Sequence, residues 1–189
     1  VNCLSSAKIA VFGLVGAGSY VVEALARCGV GSLTLVDYDT VSLTNINRQL
    51  YALQSTVGKK KVQIAKERIR DIDDNILVHT YETFYNEDTA GMFDLKSYDY
   101  IVDATDTVQS KILLIRNATL VRTPVISCMD TKNKINPSRF EIADISRVNS
   151  DAMAKSIRRE LKKQGIKKVK VLFSRERTNK ALELRNCRT

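Results

Sequence analysis

The sequence has 189 residues, of which 44% are hydrophobic and 27% charged, with a formal net charge of +9. That is the length of one domain, with enough apolar content for a sizeable core. No apolar run approaches the roughly 18 residues of a membrane span, and the first residues lack the basic-then-apolar order of a secretory leader, so a cytoplasmic protein is expected.

In chain order, strands are predicted at residues 8–14 (KIAVFGL), 32–37 (SLTLVD), 75–81 (NILVHTY), 98–105 (YDYIVDAT) and 124–129 (PVISCM). Between them, apolar residues at helical spacing predict helices over 19–31, with Gly29 as a stop, and over 57–73 and 110–121. Strands alternating with helices imply an α/β, Rossmann-like, doubly wound and mostly parallel sheet with helices on both faces. After Met129 the character changes. A loop leads to a strand at 139–145 (RFEIADI), a basic helix at 150–165 with Ser150 or Asp151 as its cap, and a strand at 169–174 (VKVLFS). The expected organisation is therefore residues 1–129 as a nucleotide-binding domain and 130–189 as a small basic strand–helix–strand extension packed on it.

The positive charge sits in that extension. Residues 155–189 hold 13 Lys/Arg against 3 Asp/Glu, while residues 1–154 hold 17 against 18. The plain reading is a solvated helix face. The sharper one is a surface for a polyanion such as RNA, because lysines and arginines release counterions from phosphates. Cys3, Cys28, Cys128 and Cys187 are far apart with no C-x-x-C, so free thiols and no zinc site are expected. Cys128 reads as a small buried hydrophobe and His79 as a structural strand residue.

The run GLVGAGS (13–19) follows the first strand and precedes the first helix. Gly13 suits the tight turn off the strand, and Gly16 and Gly18 allow close backbone approach. Asp37 ends the second strand 19 residues after Gly18, where an acid accepts hydrogen bonds from ribose hydroxyls. The stretch DYDTVSLTNINRQ then gathers Asn45, Asn47, Arg48 and Gln49. Such donors suit a triphosphate better than a nicotinamide.

GLVGAGS, LVDYDTVSLTNINRQ, VGKKKV and VDATD, in that order across residues 8–129, resemble the ThiF/MoeB/ubiquitin-activating family of ATP-dependent adenylating enzymes. The resemblance implies that Asp37 holds the ATP ribose and that Asn45, Arg48 and Gln49 reach the phosphates. It implies that Lys61 neutralises the leaving pyrophosphate and that Asp106 holds Mg2+. Arg48, Lys61 and Asp106 are then the catalytic set. The order INPSRFEIADIS, RRELKK, KVKVLFSRE is similar to the family's tRNA threonylcarbamoyladenosine dehydratase branch. That branch implies adenylation of the threonylcarbamoyladenosine carboxylate in tRNA, cyclisation with release of AMP, a tRNA partner for the basic extension, and a homodimer. The alternative is adenylation of the C-terminus of a ubiquitin-like sulfur carrier, as in the ThiF and MoeB branches. It shares the ATP-site residues, but the missing zinc cysteines and the basic extension count against it. A non-catalytic nucleotide-binding module, or an NAD oxidoreductase, would fit the glycines and leave Arg48 and Lys61 without a task.

Three features depart from the family pattern. Val15 stands where a glycine is usual, and its Cβ is expected to crowd the phosphates. The segment after the fifth strand has Asp130 and Lys132 where a glycine-rich run is usual. The resemblance also implies an N-terminal arm and a longer C-terminal region beyond these 189 residues.

Overall fold

The computed structural model describes residues 4–131, 134 and 136–176. Cys3, Cys187, Lys132 and the tail from 177 lie outside the described residues.

The first strand, β1 (Lys8–Phe12), explains the architecture. Ile9 and Val11 enter one apolar cluster, while Ala10 and Phe12 enter another. A strand buried on both faces needs cover on both, which is the condition of a parallel sheet flanked by helices. On one face α1 (Gly16–Arg27) and α2 (Lys61–Ile72) supply Val22, Ala26, Val62 and Ile69 against β1 and β2 (Ser32–Val36). On the other, α3 (Val108–Leu120) supplies Leu113, Leu114 and Ala118. The remaining strands are β3 (Leu77–Tyr81), β4 (Tyr100–Asp103), β5 (Val125–Cys128), β6 (Phe140–Asp144) and β7 (Lys170–Ser174). Their order is β3-β2-β1-β4-β5-β7-β6, parallel throughout except for β6 against β7. The expected doubly wound α/β fold is therefore present.

The C-terminal segment continues this sheet: β7 pairs with β5 through Ser127↔Val171 and Cys128↔Leu172. Helix α4 (Ala152–Lys163) buries Ala154, Ile157 and Leu161 in a third cluster with Ile115 of α3 and Val171 of β7. Asp151 is its cap and accepts from the Ala154 N–H at 2.8 Å. The helix starts depart from the periodicity most at α1 and α2. α1 begins at Gly16 rather than 19, because the turn off β1 is short. α2 begins at Lys61 rather than 57, because Gly58 at φ +84° turns the chain back onto Val41. Gly29, at φ +72°, follows the end of α1 as expected. Among the described residues no helix is long and apolar enough to cross a membrane.

A buried polar knot joins β4, α3 and β5 beneath the carboxyl edge of the sheet. Asp103 and Lys111 are at most 1% exposed, and Lys111 Nζ lies 3.3 Å from both carboxylate oxygens. Lys111 also donates to the Cys128 carbonyl at 2.6 Å, and Ser127 Oγ donates to Asp103 at 2.5 Å. Thr105 donates to the same carboxylate through its N–H (3.1 Å) and its hydroxyl (2.7 Å), which fixes the turn that carries Asp106. A satisfied network of this kind specifies geometry more than it adds stability. Cys128 is buried as expected, and desolvation pushes its thiol up to about 11 against the opposing pull of Lys111.

Two outcomes are expected. Lys111→Met leaves Asp103 charged and uncompensated, and urea denaturation should register a loss of about 3–5 kcal/mol. The double variant with Asp103→Leu should lose less than the single one. At pH 8, iodoacetamide should label exposed Cys28 and spare Cys128 in the folded protein, as read by peptide mass.

Candidate functional site

The site forms where β1, β2 and β4 end. Gly13 leaves β1 at φ +90° and donates its N–H to the Val36 carbonyl at 2.7 Å. A Cβ there would stand 2.5 Å from the Ala104 carbonyl oxygen, so only glycine fits. Gly18 is equally constrained, because a Cβ would collide with the carbonyl of Gly13. Gly16 is not: its Cβ would make an ordinary 3.7 Å contact with the Arg48 carbonyl. Val15 sits at φ −77°, ψ −158°, extended backbone that any residue adopts, so the missing glycine imposes no strain on the turn. Val15 caps α1 with no side-chain bond. The first-turn N–H groups have no intrahelical acceptors, which makes this helix start a place for an anion.

Asp37 organises the turn. It is 5% exposed, and its two carboxylate oxygens accept from the Leu14 N–H (2.6 Å) and the Asp39 N–H (2.9 Å). Burial pushes its carboxyl above the usual carboxylate range, while the Lys61 ammonium and those two N–H groups pull the other way. Lys61, at the first position of α2, is 3% exposed and pairs with Asp39 at 2.7 Å. Of the three adjacent lysines, Lys59 is exposed and Lys60 half-exposed, and only Lys61 is buried.

The segment after β2 brings the remaining candidates. Ser19 Oγ donates to the Gly16 carbonyl (2.9 Å) and accepts from the Leu50 N–H (3.1 Å), tying that segment to α1. Asn45 is buried and spends its Oδ1 on the Ser42 N–H at 3.1 Å, so it shapes the turn. Gln49 is also buried, and its N–H bonds to the Asn45 carbonyl. Arg48 is exposed; its Nη1 donates to the Thr44 carbonyl (2.8 Å) and to Asn47 Oδ1 (3.0 Å). Asp106 is exposed and leaves capping of α3 to Thr107.

Two cavities meet here. The first, of about 30 Å³, is lined by Gly13, Asp37, Tyr38, Asp39 and Phe84, with the rings of Tyr38 and Phe84 edge-to-face at 5.1 Å. Its acid lining is felt by the Tyr38 phenol, which Asp39 pushes up, with burial, Asp106 and Asp37 adding to the shift. The second, of about 730 Å³, is reached over Gly16 and Arg48. Val15, Thr105 and Asp106 line both. Gly13, Asp37, Gly16, Arg48 and Asp106 thus face open space. Gly18, Asn45, Gln49 and Lys61 line neither cavity. The sequence reading missed Asp39, the partner of Lys61, although it is the second acid of the D-Y-D run. It also missed Lys111, whose helical position reads as polar surface.

The ThiF family matches residues 1–140. The tRNA threonylcarbamoyladenosine dehydratase of Bacillus subtilis (strain 168) is 48% identical over 177 residues, covering 93% of this chain and 70% of that protein. The Escherichia coli (strain K12) protein of the same name is 35% identical, covering 86% of this chain and 60% of that one. The crystal structure of the E. coli dehydratase in complex with ATP superposes with a TM-score of 0.90 at 32% identity, covering 95% and 77% of the two chains. An adenylyltransferase and sulfurtransferase MOCS3, from Culex quinquefasciatus, is 39% identical but matches only 66% of this chain. The chain belongs to the ThiF family, on its tRNA threonylcarbamoyladenosine dehydratase branch.

Proposed function

We propose that this chain uses ATP to adenylate the carboxylate of threonylcarbamoyladenosine in tRNA and then closes that side chain into a ring. A carboxylate oxygen attacks the α-phosphorus, the bond to the bridging oxygen breaks, and pyrophosphate leaves. The carbamoyl oxygen or nitrogen then attacks the acyl carbon, AMP leaves, and a proton passes to solvent. The second attack is intramolecular, so proximity supplies much of its rate.

The observation that carries the reading is the junction of two cavities at Val15, Thr105 and Asp106, with the start of α1 and the Arg48 guanidinium beside it. Adenosine laid at the mouth of the first cavity sets its ribose at Asp37, and the phosphates run over the first turn of α1 toward Arg48. The first step brings two anions together, so its barrier depends on positive groups fixed in advance. Arg48 faces the phosphates directly. Lys61 lies in neither cavity and acts through Asp39 and Asp37, holding both carboxylates in place. The donor set fits Mg2+: Asp106 is an exposed carboxylate at the junction with no capping task, and Mg2+ is commonly held by one or two carboxylates plus substrate phosphates. When bound, the ion would neutralise charge on the phosphates.

The tRNA half of the reading rests on α4. A cavity of about 750 Å³ on its outer side is lined by Lys155, Arg159, Lys162 and Lys167. Arg158 has another task, donating to the carbonyls of Ile145, Ser146 and Val148. Lys163 is paired with Glu160 at 2.8 Å, which makes it a weaker phosphate ligand than Lys162. The dehydratase relative matches 93% of this chain, which takes in α4, whereas the adenylyltransferase and sulfurtransferase relative matches 66% of it.

Purified tRNA bearing threonylcarbamoyladenosine should stimulate ATP consumption, with the cyclic base and AMP as products by mass. Stimulation instead by a Gly-Gly-ended carrier protein would favour the sulfur-carrier reading. Arg48→Ala should keep the fold and slow adenylation by roughly 100- to 1000-fold in pyrophosphate exchange. The combined Lys155→Ala, Arg159→Ala and Lys162→Ala variant should flatten the log–log salt dependence of tRNA binding by about 2 to 3. An unchanged slope would move the RNA surface elsewhere.

A further inference from the structure

We infer that the second cavity receives the purine of the modified nucleoside, swung out of its stack, with Tyr20 as a face on which it packs. This rests on the function proposed above.

With adenosine laid at the mouth of the first cavity, the α-phosphorus stands at the shared wall formed by Val15, Thr105 and Asp106. The acyl group must then come from the other side, and the second cavity is the space there. At about 730 Å³ it is large enough for a nucleoside. Its lining includes Tyr20, Met129, Phe140 and Met153, from α1, the exit of β5, β6 and α4. Two aromatic rings and two thioethers suit a flat π-system, which a base supplies and an extended Gly-Gly chain end lacks. Tyr20 is 56% exposed, so its ring is open to a stacking partner. It lies one turn into α1, on the helix whose first turn faces the phosphates.

The basic groove supplies the approach. Ala152 lines the groove and Met153, the next residue of α4, lines the cavity. A phosphodiester backbone held at Lys155 and Arg159 therefore runs past the cavity mouth, and one base turned inward reaches the junction. Enzymes that act on a base usually extrude it in this way.

The test compares Tyr20→Ala, Tyr20→Phe and the unaltered chain, using tRNA bearing threonylcarbamoyladenosine. Base–aromatic stacking predicts a rise of roughly 5- to 150-fold in KM for that tRNA with Tyr20→Ala. Tyr20→Phe should stay near the unaltered value, and the Kd for ATP should not change in either. An active unaltered chain with KM unmoved by Tyr20→Ala overturns the purine site and leaves the proposed function standing. Loss of a larger assembly in Tyr20→Ala, with KM unmoved, likewise overturns it and makes Tyr20 a contact between copies. An unaltered chain inert toward the tRNA but active on a carrier protein overturns both.

Discussion

The Asp37 carboxylate is the point on which this site turns. One oxygen holds the N–H of Leu14 in the turn off β1, and the other holds the N–H of Asp39 beyond β2. Asp39 in turn grips Lys61 at the start of α2. A single buried charge thus fixes three segments at the carboxyl edge of the sheet. Burying that charge is costly unless it is paired and hydrogen-bonded. The Leu14 and Asp39 N–H groups and the nearby Lys61 ammonium meet the condition, which gives Lys61 a structural reason to sit at that position whatever it does to a leaving group.

A second buried charge performs the same service on β4, on the other side of β1. Asp103, held by Lys111 and Ser127, receives both donors of Thr105 and so sets the direction in which Asp106 leaves β4. Asp37 and Asp106, which line the cavities, therefore stand on rigid supports before any ligand arrives. Preorganisation of this kind is what an adenylating site requires, because it removes reorganisation cost at the moment two anions meet.

Much of this could be read from the sequence, for identifiable reasons. Gly13, Gly18 and Asp37 answer local needs, a positive φ, a close approach and a carboxylate at a strand end, and those needs leave a motif. The strand–helix alternation was equally clear, because β1, β2 and β4 are buried on both faces and read as apolar runs. What stayed hidden was tertiary. The Lys61–Asp39 pair joins residues 22 positions apart, and nothing in either segment marks it. Lys111 looks like a surface lysine until α3 is laid on the sheet. The starts of α1 and α2 were misplaced because glycines obscured the helical period, Gly16 and Gly18 lying inside a helix and Gly58 before one. At Val15 the backbone is extended and accepts a branched side chain, so the substitution for glycine leaves the turn unstrained.

The most direct test is a crystal structure of this chain with a non-hydrolysable ATP analogue and Mg2+. The account requires the ribose at Asp37 and the triphosphate crossing the start of α1, between the guanidinium of Arg48 and the carboxylate of Asp106. Phosphates found outside that gap, or adenosine lying in the cavity beside Tyr20 and Phe140, would contradict it.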